Sequence, residues 1–495
     1  MENLLKEYWS GFLKMQVIKK SISKWQSMSD IAKASIAFVI SSFLLKGISF
    51  ITTPIFTRLI DTNEYGIVAE YNSWQTILEV FALLGLTSAG VFNVGLNDYK
   101  EKRSQYMSST LTICNIATFI VLAIIMLLKI PFGGNFILPT NLIIVMFLNF
   151  IFHPAQIFWI TRQRYEYKYK LAVFLTILST ILTQGVSILC VLVAKTQHLA
   201  VVKIWSGVLA GFVICIPLYF YIIIKGKTYY DKKMWKQVLM FAIPLLPHYL
   251  AQHIMSGADR IMLANMISKS DAGIYAVVLN ISVIASIIWN SINASIIPYT
   301  FEHLNDKDYK SINKMVLPIV GGFACVCAMV TIAAPEIMAF LAPEDYHSGI
   351  FAVPPVVATA FLSALYNIYA NIEFYHKKSS YIAGATVVSA VVNIGLNALL
   401  IPLLGFVGAA YTTLTSSIVL ILVHYLGYRK TQKDRVYNDK IVLLIALVCI
   451  GTCEAMNLLY FNSIIRYVVL CVMIGIAVAF RKRIIDTVRA IKRKN

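Results

Sequence analysis

Charged side chains stand inside long apolar stretches of this sequence. The segment GADRIMLANM places Asp259 and Arg260 side by side at the close of one such stretch. An arginine in that position can bind an anion, and a carboxylate can bind a proton or Na⁺. At about 100° per residue, His248, Gln252 and Asp259 share one helical face, with Arg260 on its flank. This interpretation depends on how deep Asp259 and Arg260 lie in the membrane, because a helix that ended at Ser256 would leave both charges at the surface.

A second polar face lies near the beginning of the chain and contains a lysine. Ser42, Lys46, Ser49 and Thr53 fall within about 80° of one another on a helical wheel. Lys46 is about fifteen residues from the near end of its apolar stretch, or roughly 22 Å, which is too deep for easy snorkelling. Hydroxyls alone could simply pack one helix against another. The lysine on the same face favours a polar cavity.

Three further apolar stretches carry amides and carboxylates. Glu79 could pair with Lys46 or hold a coupling ion, and Asp259 and Glu373 are the other candidates for that ion. Amides and aromatics suit the faces of sugars, although aromatics also suit an interfacial belt. We predict the following cavity-lining residues beside the hydroxyls of the lysine face: Asn72, Gln75, His248, Gln252, Asn290, Asn367 and Tyr369.

Composition identifies the environment in which these side chains lie. The 495 residues are 58% hydrophobic and 14% charged, whereas soluble domains are about 25% charged. Apolar runs of about 20 residues, each long enough to cross a bilayer, recur along the chain. The sequence predicts an all-α polytopic membrane protein with about 14 transmembrane helices. The predicted spans are 31–56, 67–96, 109–131, 140–161, 171–194, 201–224, 238–266, 273–300, 313–341, 351–375, 380–402, 407–428, 441–460 and 465–480.

The placement of Lys and Arg predicts the orientation of these spans. Most of the 43 Lys and Arg residues fall in alternate loops, which the positive-inside rule assigns to the cytoplasm together with both termini. The net charge of +19 is therefore mainly a topology signal, and no nucleic-acid partner is expected. Residues 1–30 resemble no signal peptide and suit either a basic amphipathic helix on the inner membrane surface or a disordered segment. Residues 481–495 form a basic cytoplasmic tail.

An internal repeat predicts the domain organisation. Glu64–Ile67 (EYGI) and Asp271–Ile274 (DAGI) share an acidic residue, a glycine and an isoleucine, and each stands at the start of a predicted span. In both cases the preceding span has an arginine near its end, Arg58 in one and Arg260 in the other. The second copy follows the first by six predicted helices, an arrangement common in transporters. We predict two pseudo-symmetric six-helix lobes plus two C-terminal helices. The bounds are 31–224 for the first lobe, 238–428 for the second and 441–480 for the added helices.

Absent motifs limit the chemistry. The sequence has no phosphate-binding G-x-x-x-x-G-K-[ST], no H-E-x-x-H and no C-x-x-C pair. Every loop predicted outside the membrane is short. We expect no enzyme, no cofactor and no metal site.

The segments TPIFTRLIDTNEYGIVAEYNSW, GADRIMLANMISKSDAGIYAVV and LNALLIPLLGFVGAAYTTLTS resemble those of the polysaccharide (O-antigen and capsule repeat-unit) flippases. Their superfamily also contains multidrug–cation antiporters and peptidoglycan lipid flippases. The resemblance implies two lobes around a cavity of alternating access in the bacterial cytoplasmic (inner) membrane. Its substrate class is an undecaprenyl-pyrophosphate-linked oligosaccharide, moved from the inner to the outer leaflet. Lys46 and Arg260 match charged cavity positions and Arg58 matches the cavity's outer edge, and we assign all three to phosphate.

The expected partners are this glycan lipid, membrane lipid, a coupling proton or Na⁺, and the polysaccharide polymerase machinery. Two other functions stay open. A multidrug–cation antiporter of the same fold would favour acids and aromatics at its site, and Lys46 argues against it. A membrane glycan polymerase is disfavoured by the short outer loops.

Overall fold

The computed structural model describes residues 29–87, 91–131, 137–376 and 379–479. Residues 1–28 of the predicted segment 1–30 and the whole predicted tail 481–495 therefore lie outside the described residues. Helices account for nearly all of the described chain, with short 3₁₀ turns at Lys100–Lys102, Glu344–Ala352 and Asn457–Leu459. The helices of the first half are α1 (Asp30–Leu59), α2 (Thr62–Ala82), α3 (Val91–Asp98), α4 (Arg103–Lys129), α5 (Thr140–Tyr165), α6 (Tyr169–Val193) and α7 (Leu199–Gly226).

In the part of the chain that the structure describes, the second half has eight helices, one more than the first. Its helices are α8 (Lys232–Met266), α9 (Lys269–Asn305), α10 (Tyr309–Ile332), α11 (Ala334–Leu341), α12 (Val353–Tyr375), α13 (Ser379–Thr431), α14 (Asp439–Met456) and α15 (Ser463–Ala479). Among the described residues, eleven helices are long and apolar enough to cross a membrane. The chain is a multi-pass membrane protein, as its composition predicts.

Three features reconcile these eleven helices with the fourteen predicted spans. The 21-residue α2 is long enough to cross a membrane but contains no stretch as apolar as those of the eleven. The apolar part of α15 is shorter than the eleven. The long α13 contains non-helical backbone at Gly405, with φ 56° and ψ −137°. Asn393 Nδ2 in its first limb lies 3.4 Å from Ser416 Oγ in its second, so the limbs lie side by side as two spans.

Several predicted spans are interrupted, and local residues explain where. The predicted span 67–96 breaks after α2, because Leu84 and Gly85 adopt positive φ values of 54° and 63°. The predicted span 313–341 divides into α10 and α11, with a proline in the first turn of α11. Pro244 and Pro247 lie inside α8, which continues through both prolines to Met266.

Buried side chains form two apolar clusters that correspond to the two halves. One cluster contains Phe147 and Phe158, and the other contains Phe323 and Phe361. We call α1–α7 the N-terminal lobe and α8–α13 the C-terminal lobe. Helix α8 belongs to both clusters, since Val238 is buried in the first and Leu263 in the second. The added helix α14 packs on α10 and α12.

The lobes meet where α1 gives way to α2 and α8 gives way to α9. We call this the α1–α2 end of the bundle. The opposite end, where α3 gives way to α4, is called the α2–α3 end because α2 and α3 together lead to it. A Cβ on Gly66 would lie 1.7 Å from the Lys269 carbonyl oxygen, and one on Gly273 would lie 2.3 Å from that of Thr62. The backbones of α2 and α9 touch here through the two glycines of the sequence repeat.

Polar side chains surround this glycine contact. The Lys269 ammonium lies 2.6 Å from Glu70 Oε2, and Asn265 Nδ2 donates to Glu70 Oε1 at 2.9 Å. Glu70 is only 1% exposed, so its carboxylate is fully engaged by the C-terminal lobe. Ser270 Oγ donates to Thr62 Oγ1 at 2.5 Å. The α1–α2 end is therefore closed by backbone contact, an ion pair and hydrogen bonds.

A basic cluster organises the N-terminal lobe at the α2–α3 end. Glu166, which follows α5, accepts from Arg162 and Lys168 at 2.8 Å each and pairs with Arg103 at 3.4 Å. Burial alone would raise the pKa of Glu166, but the hydrogen bonds and charges of Lys168 and Arg162 outweigh it and lower the pKa to about 2. The carboxylate thus stays ionised and holds the α5–α6 turn to α4.

The glycine contact generates a prediction about the closed end. We expect Gly66→Ala to force α2 away from α9, because the new methyl group would overlap backbone that cannot move independently. Such overpacking costs about 1–3 kcal/mol or more. The hydroxyls of Thr62 and Ser270 allow a direct readout, since Thr62→Cys and Ser270→Cys side chains would be within disulfide range in the closed state.

The linked peptide, detected by mass spectrometry, should form in the otherwise native chain and be strongly reduced by Gly66→Ala. The matched control is Gly321→Ala in α10, where an added Cβ meets nothing within 4 Å. Equal cross-linking in all three backgrounds would show that the glycine contact does not hold this end closed.

Candidate functional site

A cleft separates the two lobes toward the α2–α3 end. Within the described residues, hydrogen bonds between α1–α7 and α9–α13 are confined to the half of the bundle nearer the α1–α2 end. Beyond them, four polar side chains on different helices are exposed: Lys46, Asn72, Gln252 and Asn290. A polar group facing lipid is costly, so these side chains face the space between the lobes.

Lys46 stands in the middle of the 30-residue α1 with its side chain exposed. It makes no hydrogen bond or ion pair with the described residues. The predicted pairing with Glu79 is wrong, because Glu79 instead accepts from Thr87 Oγ1 at 2.9 Å. Since no carboxylate neutralises it, the ammonium is available to an anion that enters the cleft.

The hydroxyls predicted beside Lys46 divide into two kinds. Ser42 and Ser49 are exposed, and each donates to a carbonyl of its own helix. Thr53 is 6% exposed and accepts from Asn280 Nδ2 of α9 at 3.4 Å. Ser42 and Ser49 therefore line the cleft, whereas Thr53 belongs to the contact that closes it.

Asp259 is buried inside the C-terminal lobe. Because α8 continues to Met266, Asp259 is a helical residue and does not follow the end of the helix. The residue is 5% exposed. Asn397 Nδ2 donates to Oδ1 at 2.6 Å, and Thr413 Oγ1 donates to Oδ2 at 2.6 Å. Tyr275 also donates to Oδ2, at 3.3 Å. No ion pair joins Asp259 to Arg260 within 4 Å in the described residues.

The partners of Asp259 form a polar network that the sequence did not predict. Asn397 Nδ2 also donates to Asn393 Oδ1 at 3.2 Å, and Thr412 donates to Asn397 Oδ1. One carboxylate among amide and hydroxyl oxygens is a ligand set that suits a hard cation or a proton. The available signal was Asn393 and Asn397, four residues apart in an apolar run.

Arg260 retains unused donors. Its Nη2 donates to the Ser256 carbonyl at 2.6 Å, whereas Nε is buried and has no partner among the described residues. The side chain is half-buried, next to the buried Asp259. A buried N–H without an acceptor is costly, and an anion at this position would satisfy it.

Arg58 lies at the junction of the two lobes, beside the closed end. Its Nη1 donates to the carbonyls of Pro54 and Phe340 at 2.9 and 3.1 Å, and Nη2 donates to that of Ala339 at 3.3 Å. Thr57 Oγ1 donates to the Leu341 carbonyl at 2.6 Å. Both side chains thus cap the C-terminus of α11 and join the lobes, so Arg58 is not a cleft residue in this conformation.

The predicted sugar-binding residues are only partly brought together. Asn72, Gln252 and Asn290 are exposed, while Gln75, His248 and Asn367 are half-buried. The assignment of Tyr369 is wrong, because it is 4% exposed and packs among the rings of Tyr425, Tyr428 and Tyr437. A helical wheel cannot separate a lobe interior from a cleft face.

Glu373 is also inside the C-terminal lobe. It is 0% exposed, and its Oε2 lies 2.6 Å from His424 Nδ1. A Cβ on Gly427 would lie 2.3 Å from Glu373 Oε1, so the glycine leaves room for the carboxylate. This pair does not face the cleft, and His424 was not singled out from the sequence.

Comparison with known proteins places the chain among polysaccharide-related proteins. The family model described as "Polysaccharide biosynthesis protein" matches residues 31–304. "Lsg locus putative protein 1" of Haemophilus influenzae is 23% identical over 380 residues, covering 73% of this chain and 88% of that protein. An "uncharacterized membrane protein" of the same organism is 26% identical over 165 residues, covering 32% and 39%.

Solved structures share the fold at low identity. The lipid II flippase MurJ in its inward closed conformation is 15% identical with a TM-score of 0.66, covering 91% of this chain and 100% of that one. An inward-facing multidrug resistance MATE family transporter is 11% identical with a TM-score of 0.58, covering 78% and 96%. Both share the helical membrane fold of this chain, which agrees with the fold class predicted from the sequence.

The buried network yields a prediction for stability. We expect Asp259→Ala to destabilise the chain, because Asn397 and Thr413 would lose a charged acceptor in the interior. Leaving such donors unsatisfied costs about 1–3 kcal/mol each. Thermal unfolding in detergent should show the loss, while Asp306→Ala, an exposed carboxylate after α9, should unfold like the wild type. Equal unfolding temperatures would contradict a structural role for the network.

Proposed function

Because this chain belongs to the polysaccharide biosynthesis protein family, we propose that it flips an undecaprenyl-pyrophosphate-linked oligosaccharide from the inner to the outer leaflet of the bacterial cytoplasmic membrane. The observation that carries the proposal is Lys46, an exposed cation in mid-membrane at the wall of the cleft that has no partner among the described residues. A cation at this depth without a counter-charge is unfavourable, and the diphosphate of the substrate would neutralise it. The fold shared with a lipid II flippase supports the same class of cargo.

Two groups in and beside the cleft match the chemistry of the substrate. Lys46 supplies a mobile ammonium, and Arg260 supplies a guanidinium whose Nε has no partner among the described residues. Such cations bind phosphate oxygens well. The exposed amides of Asn72, Gln252 and Asn290 can both donate to and accept from sugar hydroxyls.

The direction of transport follows from the predicted topology. With both termini in the cytoplasm, the closed α1–α2 end faces outward and the cleft opens toward the inner leaflet. In this conformation the glycan lipid would enter from the side on which it is made. Separation of α2 from α9 and closure of the opposite end would then release it outside, as in other two-lobe transporters.

We assign the coupling ion to Asp259. Asn397 Nδ2 and Thr413 Oγ1 both lie within hydrogen-bonding distance of its carboxylate, and rotation of the Asn397 amide and the Thr413 hydroxyl would direct their oxygens to a cation. Glu79 and Glu373 are weaker candidates, because Glu79 is engaged by Thr87 and Glu373 by His424.

A multidrug–cation antiporter is the second candidate, favoured by the fold shared with a MATE family transporter. Lys46 would repel a cationic drug. The two functions are distinguished in a deletion strain, where drug hypersensitivity with normal surface glycan would select the antiporter.

The flippase proposal predicts that Lys46→Ala and Arg260→Ala each stop export without removing the protein from the membrane. Losing a charge-assisted contact worth about 1.5–3 kcal/mol should lower surface polysaccharide about tenfold or more. Immunodetection of surface glycan in a complemented deletion strain measures this, and Lys46→Arg should retain much of the activity.

Lys195→Ala serves as the control, because it removes an exposed lysine from the α6–α7 loop and should export normally. Wild-type export by the double variant Lys46→Ala/Arg260→Ala would rule out the cleft as the phosphate site.

The ion assignment predicts that Na⁺ stabilises the protein. A ligand that binds only the folded state contributes about 2.7 kcal/mol at one hundred times its dissociation constant. The unfolding temperature of the purified chain should rise more with added NaCl than with added choline chloride, and Asp259→Asn should remove this difference. If the unfolding temperature depends on proton concentration alone, and Asp259→Asn removes that dependence, the coupling ion is a proton instead of Na⁺. If it depends on neither Na⁺ nor protons, Asp259 is excluded as the site of the coupling ion.

A further inference from the structure

A groove on the outer surface of the bundle crosses the junction of the lobes. It has a volume of about 430 Å³ and is lined by residues of α1, α6 and α11: Pro54, Ile55, Arg58, Leu59, Leu192 and Phe340. Ile55, Leu192 and Phe340 are 38%, 57% and 53% exposed. The walls are apolar except for Arg58. The groove combines one cation with a surface suited to hydrocarbon.

The groove is distinct from the cleft. Arg58 follows Lys46 by twelve residues, which places it about 120° around α1. Ile55 and Leu59 are roughly 140–180° from the lysine. Arg58 is also the residue before the last of α1, close to the end of the membrane span. A molecule in the groove would therefore lie at the membrane surface and on the lipid side of α1.

The guanidinium of Arg58 is only partly used. Its Nη1 donates to two carbonyls and its Nη2 to one. A guanidinium has five N–H groups, so Nε–H and one Nη2–H remain, and neither has an acceptor among the described residues. These two N–H groups lie on one edge of the planar group, in the geometry that binds phosphate in a bidentate manner.

We propose that this groove binds a membrane phospholipid. Its phosphate accepts from the free edge of Arg58, and an acyl chain lies along Ile55, Leu192 and Phe340. Because α1 and α6 belong to the N-terminal lobe and α11 to the C-terminal lobe, the lipid contacts both lobes beside the closed end. This site differs from the proposed site of the transported lipid in two respects. It lies on another face of α1, and its cation is Arg58 instead of Lys46.

Native mass spectrometry of the purified full-length chain tests the site, with phosphatidylglycerol titrated into delipidated protein in detergent. We expect one lipid to bind at least tenfold more tightly than those that follow. Leu192→Trp fills the groove while leaving the carbonyl contacts of Arg58 in place, and should weaken this lipid at least tenfold. Leu189→Trp is the matched control, since Leu189 is 63% exposed on the same helix but does not line the groove, and it should bind like the wild type.

Arg58→Gln removes the bidentate edge and should weaken the lipid to a similar extent. Wild-type affinity in either Leu192→Trp or Arg58→Gln overturns the proposal. Displacement of the lipid by inorganic phosphate would show that the groove binds an anion but not an acyl chain. Binding of undecaprenyl phosphate but not phosphatidylglycerol would assign the groove to the transported lipid. Both results overturn it as well. No export is measured, so the outcome is independent of the flippase proposal.

Discussion

The close approach of α2 and α9 at Gly66 and Gly273 is the contact from which the rest of the arrangement follows. Only residues without a side chain allow the two backbones to touch. Their contact brings Glu70 to Lys269 and closes one end of the bundle. Since the lobes touch there, they diverge toward the other end, and the divergence leaves Lys46 exposed on a helix whose other surroundings are apolar.

Charges within the spans are accommodated in three physically different ways. Asp259 is buried and satisfied by neutral donors, which need no counter-ion but fix two limbs of α13 around α8. Arg58 is used at a helix C-terminus, where unpaired carbonyls and the helix dipole favour a cation. Lys46 has neither solution among the described residues. Of these three side chains, Lys46 is therefore the one whose charge has no hydrogen-bond or ion-pair partner among the described residues.

Sequence reasoning succeeded where information is local and failed where it is not. Spans follow from runs of apolar residues, and the position of the chain reversal near Gly405 follows from a glycine. By contrast, Asp259 is held by Asn397 and Thr413, 138 and 154 residues further along the chain, and no local pattern reveals such partners. The prediction that Tyr369 lines the cavity failed for a related reason. The sequence indicates that a helix has a polar face, but it does not show whether that face meets water or another helix.

Helix α8 imposes a mechanical condition on any exchange between conformations. Its first turns are buried in the N-terminal cluster through Val238, and its last turns in the C-terminal cluster through Leu263. One continuous helix is therefore held at both ends by lobes that would rotate against each other in the proposed alternating access. The curvature has to be absorbed in between, where Pro244 and Pro247 remove two backbone hydrogen bonds and lower the bending stiffness. The amplitude of the exchange is then set by the elasticity of a short stretch of one helix.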